Sequence, residues 1–170
     1  MQRIEVDRRR DEVRRVLWRW GGCDARIGEL LDRIRLAKAR IEELYHIGGA
    51  SNITGAPRST VPVDPVFATV ERIMRLREAF DTEITQCETL LQEEQAYKAE
   101  IDQAVRRLRS KEREIIQRKY RRGQSMAQIS TRLGISERTA YNYEYAALEK
   151  LGRALGAAGP LTVDDEGGGR

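Results

Sequence analysis

The segment from Ser125 to Ser136 constrains the fold more than any other part of the sequence. Ser125 and Gln128 have the spacing of a capping box, in which each side chain accepts the other residue's backbone amide and starts a helix. Gly134 is typical of the left-handed residue that ends a helix, and Ser136 is typical of the cap of the next. Helices joined by so short a connection cross steeply, as in a helix-turn-helix. We therefore predict a helix after Ser125 and a longer one over residues 137–155.

An additional short helix precedes this turn. Ser110 is the expected N-cap, because acidic residues follow it in the first helical turn. Ile115, Ile116 and Tyr120 form a single apolar face, and Gly123 is expected to end the helix in a left-handed conformation. The sequence thus predicts three helices in a compact C-terminal domain over residues 109–155.

The last helix has two faces. Its helical period directs one set of residues inward: Ala140, Tyr143, Ala147 and Leu151. Arg138, Asn142 and Tyr145 point outward, with Tyr141 on the flank. Arginine can donate two hydrogen bonds to guanine, and asparagine can form a matching pair with adenine. We therefore expect Arg138, Tyr141, Asn142 and Tyr145 to contact the bases of double-stranded DNA.

Backbone contacts are expected from side chains at the helix starts and the preceding turn, namely Arg121, Arg122, Ser125, Ser136 and Thr139. Residues 106–155 hold 13 Lys or Arg against 5 Asp or Glu, within a chain of net charge +4. Concentrated basic charge is typical of a surface that binds phosphates. Two alternatives remain: a helical bundle whose polar residues are only solvated, or a helix-turn-helix that binds protein.

The first 108 residues carry apolar residues at alternating spacings of three and four, in residues 4–46 and 66–108, which is typical of a coiled coil. Gly21-Gly22 should break the first stretch into a helix to about Arg19 and another over residues 24–46. Between the stretches, the glycine- and proline-rich residues 47–65 predict a loop. The resulting fold is all-α, a long antiparallel coiled-coil hairpin followed by a C-terminal helix-turn-helix domain. The end of the hairpin lacks a facing helix, so we expect a homo-oligomer, most simply a dimer.

The arginines of the first helix are interspersed with acidic residues. This pattern favours a solvated face over a second DNA contact.

The C-terminal segment resembles region 4 of the bacterial sigma factors. The matching motifs are Lys111-Glu112-Arg113, Arg118-Lys119-Tyr120, Gly123-x-Ser125, Ile129, Leu133-Gly134-Ile135-Ser136, Thr139 and Ala147-Leu148-x-Lys150-Leu151. The layout of the whole chain is similar to small phage-encoded regulators related to the late-gene transcription activators RinA and ArpU. These resemblances imply action near a promoter and contact with RNA polymerase. Glu137 and Tyr141 stand where sigma factors usually carry basic residues, so the sigma-factor DNA site does not carry over.

Other classes find little support. We expect no enzyme, because His46 is the only histidine and the carboxylates lie among Lys and Arg on helical faces. Cys23 and Cys87 are too few for a zinc cluster, so they are expected to be reduced, buried thiols, with no metal or cofactor. No apolar run is long enough for a membrane span, which predicts a cytoplasmic protein. Residues 156–170 predict a disordered tail.

The leading hypothesis is therefore a sequence-specific DNA-binding transcription regulator, acting in the cytoplasm of a bacterial host if it is phage-encoded. Its alternative is the DNA-recognition small subunit of a phage DNA-packaging terminase. A sigma factor proper ranks lower, since residues 1–105 lack an aromatic-rich basic helix. A coiled-coil adaptor that binds protein is the remaining hypothesis.

Overall fold

The computed structural model describes the backbone of residues 2–49 and 65–158, and the side chains of residues 8–46 and 67–156. Its helices are α1 Gln2–Gly21, α2 Cys23–Gly49, α3 Pro65–Arg106, α4 Ser110–Ile116, α5 Met126–Leu133 and α6 Glu137–Ala158. A π-helical segment, Gln117–Arg121, directly continues α4. The residues described contain no strand, which confirms the all-α class.

The ends of the long helices follow the local sequence closely. The predicted break at Gly21-Gly22 is confirmed, because α1 ends at Gly21 and α2 begins at Cys23. The predicted start of the loop at residue 47 is wrong: residues 47–49 form the last turn of α2, where terminal glycines are readily accommodated. Proline suits the first turn of a helix, and α3 begins at Pro65. The rest of the predicted loop, residues 50–64, lies outside the described residues.

Residues 25–94 form one compact unit, built from parts of α2 and α3. Contacts between its helices include Arg26 Nε with Glu94 Oε1 at 2.7 Å, Arg33 with Glu83 at 3.1 Å, Lys38 with Glu88 at 3.7 Å, and Arg40 over the Phe80 ring at 5.8 Å. From the pair Arg26–Glu94 to the pair Arg40–Phe80, residue numbers fall along α3 as they rise along α2. The two helices are therefore antiparallel, which confirms the predicted hairpin.

The described residues of 1–24 and 95–170 form a second compact unit. One core cluster joins α1, the end of α3, the π-helical segment and α6, and its fully buried members include Leu17, Ile101, Ile116 and Ala147. Polar bonds cross the same contact. The indole nitrogen of Trp20 donates to Asp102 at 2.9 Å, and the hydroxyl of Tyr97 donates to the carbonyl of Val16 at 3.0 Å. The first helix thus belongs with the C-terminal helices.

This grouping differs from the division expected from the sequence, which placed residues 1–108 in one region and 109–155 in another. The apolar stripe of α1 continues the spacing seen in α2, so a sequence pattern assigns both to the same seam. Tertiary packing buries that stripe against α6 instead. The C-terminal helix also runs to Ala158, beyond the expected start of the tail at 156, and residues 159–170 lie outside the described residues.

Both cysteines are buried free thiols, as expected. Among the described helices, none is both long and apolar enough to cross a bilayer.

Candidate nucleic-acid interface

The turn between α5 and α6 has the predicted cap geometry. The Ser125 hydroxyl accepts the Gln128 amide at 3.3 Å, and the Gln128 side chain accepts the Ser125 amide at 3.0 Å, which confirms the capping box. Gly134 ends α5 with φ 64° and ψ 34°, the left-handed conformation that glycine adopts without strain. The Ser136 hydroxyl then accepts the Thr139 amide at 3.1 Å and caps α6. These local bonds fix where the last helix starts.

The start of α4 differs from the expectation. Ser110 is the first helical residue and not the N-cap; Arg109 is the cap, and its amide donates to the Glu112 carboxylate at 3.2 Å. Glu112 thus supplies the carboxylate half of a capping box, and no side chain of the cap residue accepts a helical amide. The predicted left-handed glycine at the other end is confirmed, since Gly123 has φ 64°.

A small apolar core lies beneath the turn. Its buried members are Ile115, Met126, Ile129 and Ala140, with Leu133, Ile135 and Tyr143 packed half-buried against them. Ile115, Ala140 and Tyr143 lie on faces that the sequence assigned to the interior. The predicted inward residues Ala147 and Leu151 are buried in the larger cluster shared with α1. The inward face of α6 is therefore confirmed.

The outward face of α6 is accessible in this chain. Arg138 and Asn142 are exposed, and the Tyr141 and Tyr145 rings are stacked, with centroids 6.4 Å apart and 29° between planes. Tyr141 is 40% exposed and Tyr145 is 38% exposed. The four predicted base contacts are thus all exposed and lie within one arc of α6.

Tyr145 also contacts α1. The guanidinium carbons of Arg10 and Arg14 lie 5.2 Å and 5.9 Å from its ring centroid, within the range of cation–π attraction. Burial alone would lower the pKa of the Arg14 guanidinium, but its hydrogen bond to Asp11 and the nearby Glu144 carboxylate raise that pKa overall. Arg14 therefore remains a permanent cation beside α6. Sequence reasoning missed this contact, because it joins residues more than a hundred positions apart.

The five predicted backbone contacts divide into two groups. Arg122, Ser125 and Ser136 are exposed, and Thr139 is half-buried with its hydroxyl 2.8 Å from that of Ser136. Arg121 is directed elsewhere: it forms an ion pair with Asp24 and lies 5.2 Å over the Trp20 ring. The structure therefore leaves three of these residues exposed and one half-buried, and it engages Arg121 in contacts at the α1–α2 junction.

Two buried carboxylates were not singled out by the sequence. Glu112 is 3% exposed, and its oxygens accept the Lys150 ammonium at 2.6 Å and 2.8 Å. Glu144 is fully buried, and its Oε1 accepts Lys119 at 2.7 Å and the Tyr120 hydroxyl at 2.8 Å. Its Oε2 has no hydrogen-bond partner among the described residues. Position 144 is one helical turn after the inward Ala140, a signal that could have indicated its burial, but only the fold reveals its partners.

Burial and the adjacent Glu144 carboxylate raise the pKa of Tyr120 far above its ordinary value. The phenol therefore stays protonated and donates a hydrogen bond to the Glu144 carboxylate. This bond and the ion pair with Lys119 tie the π-helical segment to the middle of α6.

A steep two-helix turn with an exposed second helix is the architecture of helix-turn-helix DNA-binding domains. Residues 98–151 match the family model of sigma-70, region 4, which is a domain of this class. The match covers just under a third of the chain and begins within α3. No curated protein and no solved structure matches the chain. The domain is thus similar to the DNA-binding module of sigma factors.

Proposed function

We propose that the protein is a sequence-specific transcription regulator that binds double-stranded DNA through α6. The observation that carries this proposal is the exposure of Arg138 and Asn142 on one face of a helix whose start is fixed by the turn before it. Both side chains can form paired hydrogen bonds with base edges in the major groove. The likeness of residues 98–151 to sigma-70 region 4 supports DNA as the partner.

A direct test compares Arg138→Ala with the wild type on two duplexes, the preferred site selected from a random library and an unrelated sequence. Loss of a paired contact to guanine should cost about 1–3 kcal/mol on the preferred site and less on the unrelated duplex. Arg153→Ala is the matched control, because Arg153 is an exposed arginine of the same helix that pairs with Glu149. Equal losses on both duplexes would make Arg138 a phosphate ligand.

The hairpin unit supports self-association. Its buried apolar residues are few, whereas Tyr45, Phe67 and Met74 are 59%, 67% and 65% exposed. Further exposed apolar side chains of the unit are Leu31, Leu36, Val70, Leu76 and Leu90. So much apolar surface is typical of an interaction site. We propose that a second copy covers it and that the coiled coil forms a dimer.

Sedimentation measures this stoichiometry. A dimer at micromolar concentration is the expected result, and Phe67→Lys with Met74→Lys should shift it to monomer. A monomeric wild type would contradict the proposed dimer. A ring of many copies would instead favour the alternative function, the DNA-recognition small subunit of a phage packaging terminase.

Phage origin, action in the bacterial cytoplasm and contact with RNA polymerase belong to the same proposal. They are supported by the sigma-like domain and by the layout shared with small phage regulators. Co-purification of bacterial RNA polymerase with the full chain, in the presence and absence of the selected DNA site, tests the polymerase contact.

A further inference from the structure

The arginines of α1 lie beside the proposed DNA-binding helix. Arg10 and Arg14 both lie over the Tyr145 ring, and Tyr145 in turn stacks on Tyr141. The guanidinium groups of α1 therefore lie directly beside the proposed base-contacting face of α6, although α1 and α6 come from opposite ends of the chain.

The position of α1 is set by a rigid contact. Val13 and Leu17 are fully buried in the shared core. Gly152 of α6 is packed closely enough that an added Cβ would lie 3.4 Å from atoms of both Arg9 and Val13. Because this packing leaves little freedom, α1 holds its arginines at a defined place along α6.

The charge on α1 is also unbalanced. The helix contains seven arginines and four acidic residues. Two of the acids, Glu12 and Asp11, pair with Arg8 and Arg14 across exposed surface, at 3.4 Å and 2.7 Å. Pairs of this kind are weak in water, and a guanidinium has five donors, so Arg14 can bind a phosphate while it remains near Asp11.

The dimensions of DNA imply that a sugar-phosphate strand would lie at this surface when α6 occupies the major groove. The major groove is about 12 Å wide, and a helix with its side chains is about 10–12 Å across. A helix in the groove therefore has a sugar-phosphate strand close to each flank. Building on the DNA binding proposed above, we propose that α1 is a second DNA-contacting element, whose Arg10 and Arg14 bind backbone phosphates. Tyr145 then acts as a positioning residue for these arginines, which differs from its predicted role as a base contact.

The test measures duplex binding by fluorescence anisotropy over a range of salt concentrations. Each phosphate contact contributes about 0.9 to the slope of log affinity against log salt. The double variant Arg10→Gln, Arg14→Gln should therefore reduce this slope by about 1.8 and weaken binding equally on selected and unrelated duplexes. Arg15→Gln is the matched control, because Arg15 is exposed and lies about 100° further round the same helix. It should leave the slope unchanged.

Three further variants test the interpretation. Arg10→Lys with Arg14→Lys keeps both charges and should restore most of the slope. Tyr145→Phe keeps the ring that contacts Arg10 and Arg14 and should retain most of the salt slope, whereas Tyr145→Leu should weaken binding to both duplexes by the same factor. Tryptophan fluorescence verifies folding, since Trp18 and Trp20 lie on α1.

The outcomes separate this inference from the proposed function. If the wild type binds duplex DNA and the glutamine double variant has the slope of Arg15→Gln, α1 does not contact DNA and the inference is overturned. If Tyr145→Phe loses discrimination between the duplexes, the hydroxyl contacts a base and the positioning role of Tyr145 is overturned. If the wild type shows no salt-dependent duplex binding, the proposed function itself fails.

Discussion

Replacement of Gly21 by alanine should destabilise the C-terminal unit. A Cβ at Gly21 would lie 1.9 Å from the carbonyl oxygen of Tyr120 and 2.8 Å from its carbonyl carbon. An ordinary contact between carbon and oxygen is about 3.3 Å, so the two segments must separate by about 1.4 Å. Both sides of the contact are backbone, and no change of rotamer can relieve it.

The expected cost follows from the packing around this contact. Overpacking a well-filled core typically costs about 1–3 kcal/mol, and the rigid clash at Gly21 places this variant at the upper end. Alanine regains about 1 kcal/mol of helix propensity. We therefore expect Gly21→Ala to lower the free energy of unfolding by about 2 kcal/mol. Gly28→Ala is the matched control, because a Cβ at Gly28 meets nothing within 4 Å. It should be stabilising by about 0.4–1 kcal/mol.

Urea unfolding followed by tryptophan fluorescence measures the difference. The chain has two tryptophans, and both lie on α1, so their emission reports on the unit that contains Gly21. Gly21→Ala should lower the urea midpoint, and Gly28→Ala should not lower it. If Gly21→Ala is as stable as Gly28→Ala, the close approach of α1 to Tyr120 is refuted.

Glu112→Ala should cost about 2 kcal/mol, because Glu112 is buried and bonded to Lys150. Thermal melting should show a loss below about 0.5 kcal/mol for Glu149→Ala, whose ion pair is exposed. The raised pKa of Tyr120 gives stability that is complete below its unfolded value of about 10 and declines above it. The urea midpoint should therefore fall above about pH 10, and less steeply in Tyr120→Phe. In the wild type, one additional tyrosine should ionise to phenolate as the protein unfolds. If unfolding produces no additional phenolate, the buried bond between Tyr120 and Glu144 is contradicted.

Local signals in the sequence predicted the helix-turn-helix with little error. The capping box at Ser125, the left-handed glycine at 134 and the cap at Ser136 depend on atoms within a few residues of one another. Such bonds form wherever the chain folds locally, so the sequence specifies them directly. The error at Ser110 is also local, because the helix begins one residue earlier than expected, with Arg109 as its cap.

The apolar periodicity matches burial at Ile101 and Val105, near the end of α3, and matches it poorly in the hairpin unit. Glu94 and Lys98 are polar residues that interrupt the apolar spacing of α3. In the structure, Glu94 is buried against Arg26, whereas Lys98 pairs with Asp24 at 3.5 Å and Asp102 at 3.0 Å. A period identifies which residues face inward, but it cannot show which distant partner neutralises a charge there.

The glycine pair after α1 illustrates the same limit. Sequence predicts a break from the low helix propensity of Gly21-Gly22, and the break is present. The structure adds a different reason for glycine at position 21: the backbone carbonyl of Tyr120, in the π-helical segment, lies too close for a Cβ. The π-helical geometry itself had no signal in the sequence.

The sequence alone determined the class of fold, the caps of the turn between α5 and α6 and the outward face of α6, because these follow from contacts between residues close in the chain. Only the tertiary structure decided that α1 packs with α6, and that Arg10 and Arg14 lie over Tyr145 while Arg121 turns toward Asp24. An apolar stripe can bury itself against any complementary surface. The choice among those surfaces depends on shape and charge brought together from opposite ends of the chain.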